Sequence, residues 1–415
     1  MSTPIIMVWL VRGLFNMKTK QAKYVVFSCV TLGAMLMGCS QSPSSKTLLL
    51  GKKNLTSELT VSSLNEKEQS ALKSFSSKTI AAFREGKNQS FGFSPLSYEM
   101  ALGLNHALAI EGATPERFNV ANSEELGELL HDVMTELPYI PRDYKAGEKS
   151  LVRLGNLIFD GDNVFSEDAK KEITDKYGTS YASSLKSFSR DIADWKADLS
   201  EGKMRQSEET EPKEGALIVY NGVYFDLLYE NAFDPSADYQ GAFNGEGSHT
   251  FFQNRSSLTF YHDGEDYVAF SQPTRDSGYR IRYVMPKEGD LSSFFANSDF
   301  SSCFEGDGET DCTTFSLPKV SLVSEWDLKD LAEKQGFQTK LRFKKDGPQY
   351  DGILDLKQSN VCSFSHYGIQ GYSLTTMVMI PEASSTKEVS LNRSFAFDVV
   401  SPDDIPVFYG EVVSL

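Results

Sequence analysis

The chain has 415 residues, 40% of them apolar and 12% aromatic, which is enough to bury a large core and too hydrophobic for a disordered protein. Acidic residues outnumber basic ones by 57 to 41, a formal charge of −16. That balance argues against a nucleic-acid partner, because phosphate binding needs a basic face.

The first segment does not read as part of a fold. Met17 to Lys23 is a short basic run, MKTKQAK, followed by an apolar stretch over residues 24–37 that is short for a bilayer span. It ends in Leu36-Met37-Gly38-Cys39 and a Ser-rich stretch. This resembles a bacterial lipoprotein signal peptide with its lipobox: small residues admit the peptidase and the Cys39 thiol takes the lipid. The expected organisation is a signal peptide over 1–38 with an upstream extension over 1–16, a lipidated tether over 39–63, and one domain over 64–415. Cleavage before Cys39 removes Arg12, Lys18, Lys20 and Lys23 and no acid, so the mature chain is more acidic still. The expected location is an exported, periplasmic or cell-surface domain held by lipid to the cell membrane or outer membrane.

The first helix is expected from about Ser63-Leu64-Asn65-Glu66 to Gly86, with Leu72, Phe75, Ile80 and Phe83 on one side. A short strand over 89–93 precedes Ser94-Pro95, which opens a helix over 96–109 that is apolar nearly all round. A third helix, capped by Ser123, runs to 134. Then come a strand over 151–159, helices over 167–177 and 192–199, and a strongly β-prone run over 216–225. Further strands are expected over 249–253, 258–262, 267–270, 279–285 and 313–320. Ser324-Glu325-Trp326-Asp327 leads into a helix over 328–335, and strands over 372–380, 394–400 and 407–413 close the chain. Helices followed by runs of antiparallel strand argue for an α+β single domain.

The sequence carries no enzyme signature: no G-x-S-x-G, no HExxH, no Walker loop and no G-x-G-x-x-G. No Cys/His pair has metal-ligand spacing, and no cofactor is expected. Asp160 with Asp162, and Asp307 with Glu309 and Asp311, read as solvated turns rather than calcium loops. Cys303 and Cys312 flank an acidic turn-rich loop and read either as a small disulfide or as two free thiols. Cys362 reads as a core residue, and His366, between Phe364 and Tyr367, as a hydrogen-bonded core histidine.

Eight motifs in order carry a family resemblance. They are Phe93-Ser94-Pro95-Leu96-Ser97; Asn156-x-x-Phe159; Ile192-x-x-Trp195 with Glu201-Gly202-Lys203; Asn221-x-x-Tyr224-Phe225 with Phe233-Asp234-Pro235; Met285-Pro286-Lys287-Glu288-Gly289-Asp290; Ser316-Leu317-Pro318-Lys319; Asp327-Leu328-x-x-x-Leu331; and Asn392-Arg393-Ser394-Phe395 with Phe408-x-Gly410-x-Val412. Together they resemble the serpins from about residue 64 to the end. The resemblance implies a serpin-like fold of three β-sheets with eight or nine helices. It also implies no catalysis of its own, a monomer, and a C-terminal bait loop for serine or cysteine proteases. In inhibitory members the cleaved loop enters the large sheet as a new strand and drags the acylated protease with it.

The expected hinge, Thr375, Thr376, Met377, Val378 and Met379, departs from the small-residue run of inhibitory members. The stretch from His366 to Phe395 aligns as roughly seven residues short, so at ~3.3 Å per residue an inserted strand would lack about 23 Å of reach. The bait falls on Ile380, Pro381, Glu382, Ala383, Ser384, Ser385, Thr386 and Lys387. Ala383 is matched by position and suits an elastase-like protease; Lys387 suits a trypsin-like one. Two functions therefore stand: a serine-type endopeptidase inhibitor, and a non-inhibitory surface lipoprotein that uses the fold as a binding or scaffold module.

Overall fold

The structure is a computed structural model. It describes residues 53–54 and 64–415, apart from 142–143, 162, 205–211, 213–214, 307, 309–311, 339, 346, 352–355 and 371–387. Helix α1 (Glu66–Arg84) begins at a capping box in which Asn65 and Glu68 satisfy each other's backbone amides. Helix α2 (Pro95–Leu108) starts on the Ser94 cap with Pro95 in its first turn. Helix α3 (Ser123–Glu136) is capped by Asn122 and not by Ser123, one residue earlier than the sequence suggested. Next are α4 (Glu167–Tyr177) and α5 (Phe188–Leu199), and two short helices, α6 (Leu291–Phe295) and α7 (Lys329–Lys334). Seven α-helices and four 3₁₀ turns thus lie among the described residues, against the eight or nine helices the resemblance implied.

The strands in chain order are β1 (Lys53–Asn54), β2 (Phe91–Phe93), β3 (Ile140–Pro141), β4 (Leu151–Asp160), β5 (Thr179–Ala182), β6 (Leu217–Leu228), β7 (Tyr239–Phe243), β8 (Glu246–Ser257), β9 (Phe260–Asp263) and β10 (Tyr267–Pro273). They continue with β11 (Arg280–Pro286), β12 (Cys312–Pro318), β13 (Ser321–Asp327), β14 (Lys340–Leu341), β15 (Tyr350–Asp351), β16 (Lys357–Phe364), β17 (Gly368–Gln370), β18 (Glu388–Ser390), β19 (Phe395–Val400) and β20 (Pro406–Val412). Three sheets dominate. The first has the order β13-β16-β17-β6-β4-β5, the second β2-β20-β19-β11-β10-β9, and the third β18-β12-β8-β7. Residues 321–327, expected in part as the approach to a helix, form the edge strand β13. β1, inside the stretch expected as tether, pairs with β3.

The main core lies between the first two sheets and takes in α1, α2 and α3. Alternation along the central strands decides what it receives: Val152, Leu154 and Ile158 of β4 and Phe225 and Leu227 of β6 point into it. The opposite faces of the same strands join a smaller cluster. There Leu151, Leu157, Phe159 and Tyr224 pack beneath Phe188, Ile192, Trp195 and Leu199 of α5. The large sheet is therefore covered on one side by the main core and on the other by α5.

Candidate functional site

The large sheet is asymmetric about β6. On one edge, β6 pairs with β4 in unbroken antiparallel register from Leu151↔Asp226 to Asp160↔Leu217. On the other, its partner among the described residues is β17, with Gly368↔Leu228, Ile369↔Leu227 and Gln370↔Asp226. β17 in turn pairs with β16 through Ser363↔Gln370 and Phe364↔Ile369. The edge of β6 over residues 217–225 thus has no strand partner among the described residues. An edge of that length presents unpaired backbone donors and acceptors to any strand that can reach it.

The chain is turned into this opening by a tight reversal after β16. Ser365 Oγ accepts the backbone N–H groups of Tyr367 and Gly368, both at 3.3 Å, while the Ser365 N–H donates to the Gly368 carbonyl at 3.0 Å. The turn is fastened from outside. Its His366 and Tyr367 carbonyls accept the N–H groups of Phe233 and Tyr229, and His366 Nε2 lies 3.0 Å from both carboxylate oxygens of Asp238. Gly368 is required at the entrance: a Cβ there would overlap the Leu227 carbonyl oxygen and lie 2.9 Å from its carbon. Ile369 beyond it is fully buried in the main core.

Two polar rails flank the opening on its core side. On β6, Asn221 Nδ2 donates to Asn156 Oδ1 of β4 at 2.9 Å, and Asn156 Nδ2 donates to the Tyr177 carbonyl at 3.0 Å. Ser97 Oγ of α2 donates to the Asn221 carbonyl at 3.2 Å. On β16, Gln358 holds the backbone of Ser94 from both ends, at 2.8 and 2.9 Å. Asn360, 6% exposed, has a side-chain nitrogen with no partner, as has the side-chain oxygen of Asn221. At the top of β6, burial raises the Asp226 carboxyl against the hydrogen bonds it accepts from Gln370 and Tyr144.

Residues 70–415 match the family described as "Serpin (serine protease inhibitor)". The chain belongs to the serpin family. Among curated proteins it is 22% identical to mouse alpha-2-antiplasmin over 238 residues, covering 53% of this chain and 47% of that protein. It thus spans about half the length of the curated relative it matches. Among solved structures, the thermophilic serpin tengpin in its native state is 20% identical with a TM-score of 0.69, covering 86% of this chain and 96% of that one. Human thyroxine-binding globulin is 17% identical with a TM-score of 0.68, covering 84% and 98%. At these identities the structures establish the serpin fold.

Within this serpin, two of the family motifs meet directly, since Asn156 and Asn221 are cross-strand partners. The far end of the loop is fastened as well: β18 lies parallel to β12 at the edge of the third sheet, with Phe315↔Val389 at its centre. Residues 371–387 therefore join the first sheet to the third. The expected hinge (Thr375, Thr376, Met377, Val378, Met379) and bait (residues 380–387) lie outside the described residues, as does Cys39. The structure does locate the point where the chain enters the sheet: Gly368, upstream of that hinge. In sequence Gly368 is an ordinary turn glycine, and only the approach of the Leu227 backbone sets it apart. Cys303 is a free buried thiol whose Sγ sits 3.5 Å from the Asp299 carbonyl, and burial pushes it up to about 12; the side chain of Cys312 lies outside the described residues. Cys362 is fully buried as expected. His366 is hydrogen-bonded as expected, though it lies at a half-buried turn. Asp160 is fully buried, not solvated as expected, because its carboxylate caps the turn by accepting the N–H groups of Val164 and Phe165. Among the described residues no cluster of His, Cys, Asp and Glu is arranged to hold a metal.

Proposed function

We propose that this serpin inhibits serine-type endopeptidases by feeding residues 371–379 into the open edge of β6 after cleavage of the bait beyond them. The observation that carries this reading is the three-residue entry of β17 beside a long unpaired edge. Continuing its register pairs Gly371 with Phe225 and, at the other end, Met379 with Leu217. The segment then reaches the foot of β6 just as the bait begins at Ile380.

Alternation answers the departure from a small-residue run for the first half of the segment. Ile369 faces the core, so Gly371, Ser373, Thr375, Met377 and Met379 would face it too, and the first three are small. Tyr372 and Leu374 would face the α5 side. Over the first half of the segment, small residues at alternate positions meet the packing requirement without a consecutive run. In the inhibitory step the protease's serine attacks a bait carbonyl, an ester to the protease forms, and the peptide nitrogen leaves as a free amine. Insertion of the strand then carries the acylated protease away. This chain supplies the acyl group and the driving force, and the nucleophile is the protease's. Proteases with a cysteine nucleophile are targets by the same logic, through a thioester. Bait position Ala383 favours an elastase-like enzyme and Lys387 a trypsin-like one.

The test is to nick the loop within residues 380–387 and compare guanidinium unfolding midpoints with the intact chain. A large rise and an SDS-stable complex with a protease are expected. An unchanged midpoint without a complex refutes inhibition and leaves the reading as a binding module, which the similarity to a thyroxine-binding globulin favours. We further propose that the domain is exported and held to a membrane by lipid on Cys39. Cys39→Ala should then leave the chain uncleaved and unlipidated, and normal maturation would overturn this.

A further inference from the structure

The point where β17 joins β6 carries a buried acid. Asp226 of β6 is the register partner of Leu151 of β4 on one side and of Gln370 of β17 on the other, and it is 1% exposed. Strand alternation turns its side chain to the α5 side of the sheet, with Tyr224 two residues before it, whereas Ile369 next to Gln370 packs into the main core. Tyr144 reaches in from the segment after β3 and donates its O–H to Asp226 Oδ2 at 2.9 Å. Two atoms there have no partner: Asp226 Oδ1, and the side-chain oxygen of Gln370, which is 5% exposed. Both are acceptors when the acid is ionised, and they belong to directly opposed residues, whose Cβ atoms in a strand pair stand ~4.5–5.5 Å apart. A carboxylate cannot satisfy an amide oxygen; a carboxylic acid can.

The surroundings give a charge on Asp226 little support. Tyr224 from its own strand and Tyr144 are phenols that burial raises well above their ordinary range. Glu201, ion-paired with Arg153, adds negative charge toward both of them. Leu151 and Gln370 bring no charge. Lys203, just beyond α5, is the cation that acts on Asp226, and its pull is smaller than the effect of burial, which holds the carboxyl above its ordinary 3.8. We propose that Asp226 and Gln370 form a proton-operated joint: with a proton on Asp226 the two side chains pair and hold β17 to β6, and loss of that proton loosens the hold. In the held state Asp226 Oδ1–H donates to the Gln370 side-chain oxygen while the Gln370 amide N–H donates back to the Asp226 carboxyl, so acid and amide are joined by two bonds. When β17 leaves the sheet, Asp226 meets water and its carboxyl returns toward 3.8, so opening releases a proton. The hold is therefore complete below that value and declines as pH rises toward the raised value of the closed joint. β17 already lies in the sheet, so the proposal does not rest on cleavage or insertion of the loop.

Hydrogen exchange on the intact, uncut chain tests this. The β17 amides are read as opening equilibria from about pH 4 to about pH 7, after correction for intrinsic exchange, with the amides that pair β8 to β12 as the control for pH effects on the whole molecule. Opening of β17 should rise with pH by up to about tenfold per unit and then level off, while the control amides do not follow it. Asp226→Asn puts a permanent N–H where the acid carries its proton, so it should remove the dependence and keep β17 protected. Tyr144→Phe takes a donor from the carboxylate and should carry the rise to higher pH. A flat wild-type profile, a rise that Asp226→Asn retains, or a rise shared equally by the control amides overturns the proposal. Protection of β17 that grows with pH also overturns it, and assigns Asp226 to an ion pair with Lys203. If Asp226→Asn fails to fold, Tyr144→Phe decides: a rise left at the wild-type pH refutes the joint.

Discussion

A single methyl group at position 368 is enough to disturb the site. The atoms that a Cβ on Gly368 would meet are backbone, from Leu227 and Leu228, which have no rotamer by which to yield. Gly368→Ala should therefore expel β17 from the sheet. Overpacking of this kind costs about 1–3 kcal/mol, and here the loss should be local. Hydrogen exchange would show faster exchange at the amides of β17 and the neighbouring end of β6, with β4 unaffected; unchanged protection at β17 would contradict the close fit. Glu99, on α2, presents the opposite case. It is 1% exposed and neither carboxylate oxygen has a partner, so burial holds its carboxyl well above the usual range. The unfolded chain releases this proton near pH 4.5 while the folded chain keeps it, so stability falls as pH rises from there. Glu99→Leu should raise stability by about 1–3 kcal/mol at pH 7. The advantage should narrow as the pH is lowered through 4.5, which urea titrations at several pH values would check. An advantage that does not change with pH would assign the effect to packing. Neither residue's role was legible from sequence. Gly368 has an ordinary turn-like context, and Glu99 is one charged letter in an apolar helix, whose isolation appears only once all of its neighbours are in place.

Between elements, one cross-strand pair stands out because it is a buried charge pair joining two strands of the second sheet that are far apart in the chain. Arg282 of β11 lies directly opposite Asp398 of β19, and its guanidinium grips the carboxylate with two bonds, at 2.9 and 2.6 Å. Both side chains are almost wholly enclosed, and Phe304 lies 4.7 Å from the Arg282 guanidinium carbon. Arg282→Met strands a buried carboxylate and should cost about 3–5 kcal/mol in unfolding free energy. Adding Asp398→Leu removes the stranded group and should recover most of the loss; a double variant as unstable as the single one would show that the loss was packing. Sequence periodicity located most elements to within a few residues, and α4 at its observed limits, because caps and apolar spacing are local signals. It missed β13 for an equally local reason. Leu322, Ser324 and Trp326 alternate toward the core with period two, yet Ser324 ahead of an acidic residue also has the form of a helix cap. What settles the choice is β16, a partner 30 to 42 residues away in the chain, supplying cross-strand pairs from Ser321↔Ser363 to Asp327↔Lys357.

The whole molecule holds the segment proposed as bait between two sheets, and on that reading the two attachments differ in what they permit. β17 already sits in the first sheet, while β18 holds the other end in the third. A cleaved loop is free of that second attachment, so residues 371–379 can advance along β6. An uncut loop can advance only if β18 leaves β12, breaking the pairs around Val389, the 2.9 Å bond from the Leu391 N–H to the Ser316 carbonyl, and the 3.1 Å contact of Ser390 with Tyr239. If the proposed insertion operates, the barrier that keeps the uncut form competent lies in β18. Val389, buried to 7% exposure in the main core, is the side chain that anchors it. Val389→Ala removes two methyl groups, each worth about 0.8 kcal/mol of burial, and should weaken the tether without touching either rail. On warming, this variant should lose its capacity to complex a protease faster than wild type, while its guanidinium midpoint rises as the uncut loop inserts. The direction of that midpoint shift discriminates. Loss of complex formation with a falling midpoint is simple unfolding and would deny β18 this role, whereas loss with a rising midpoint can come only from a chain that has settled into a more stable arrangement of the same strands.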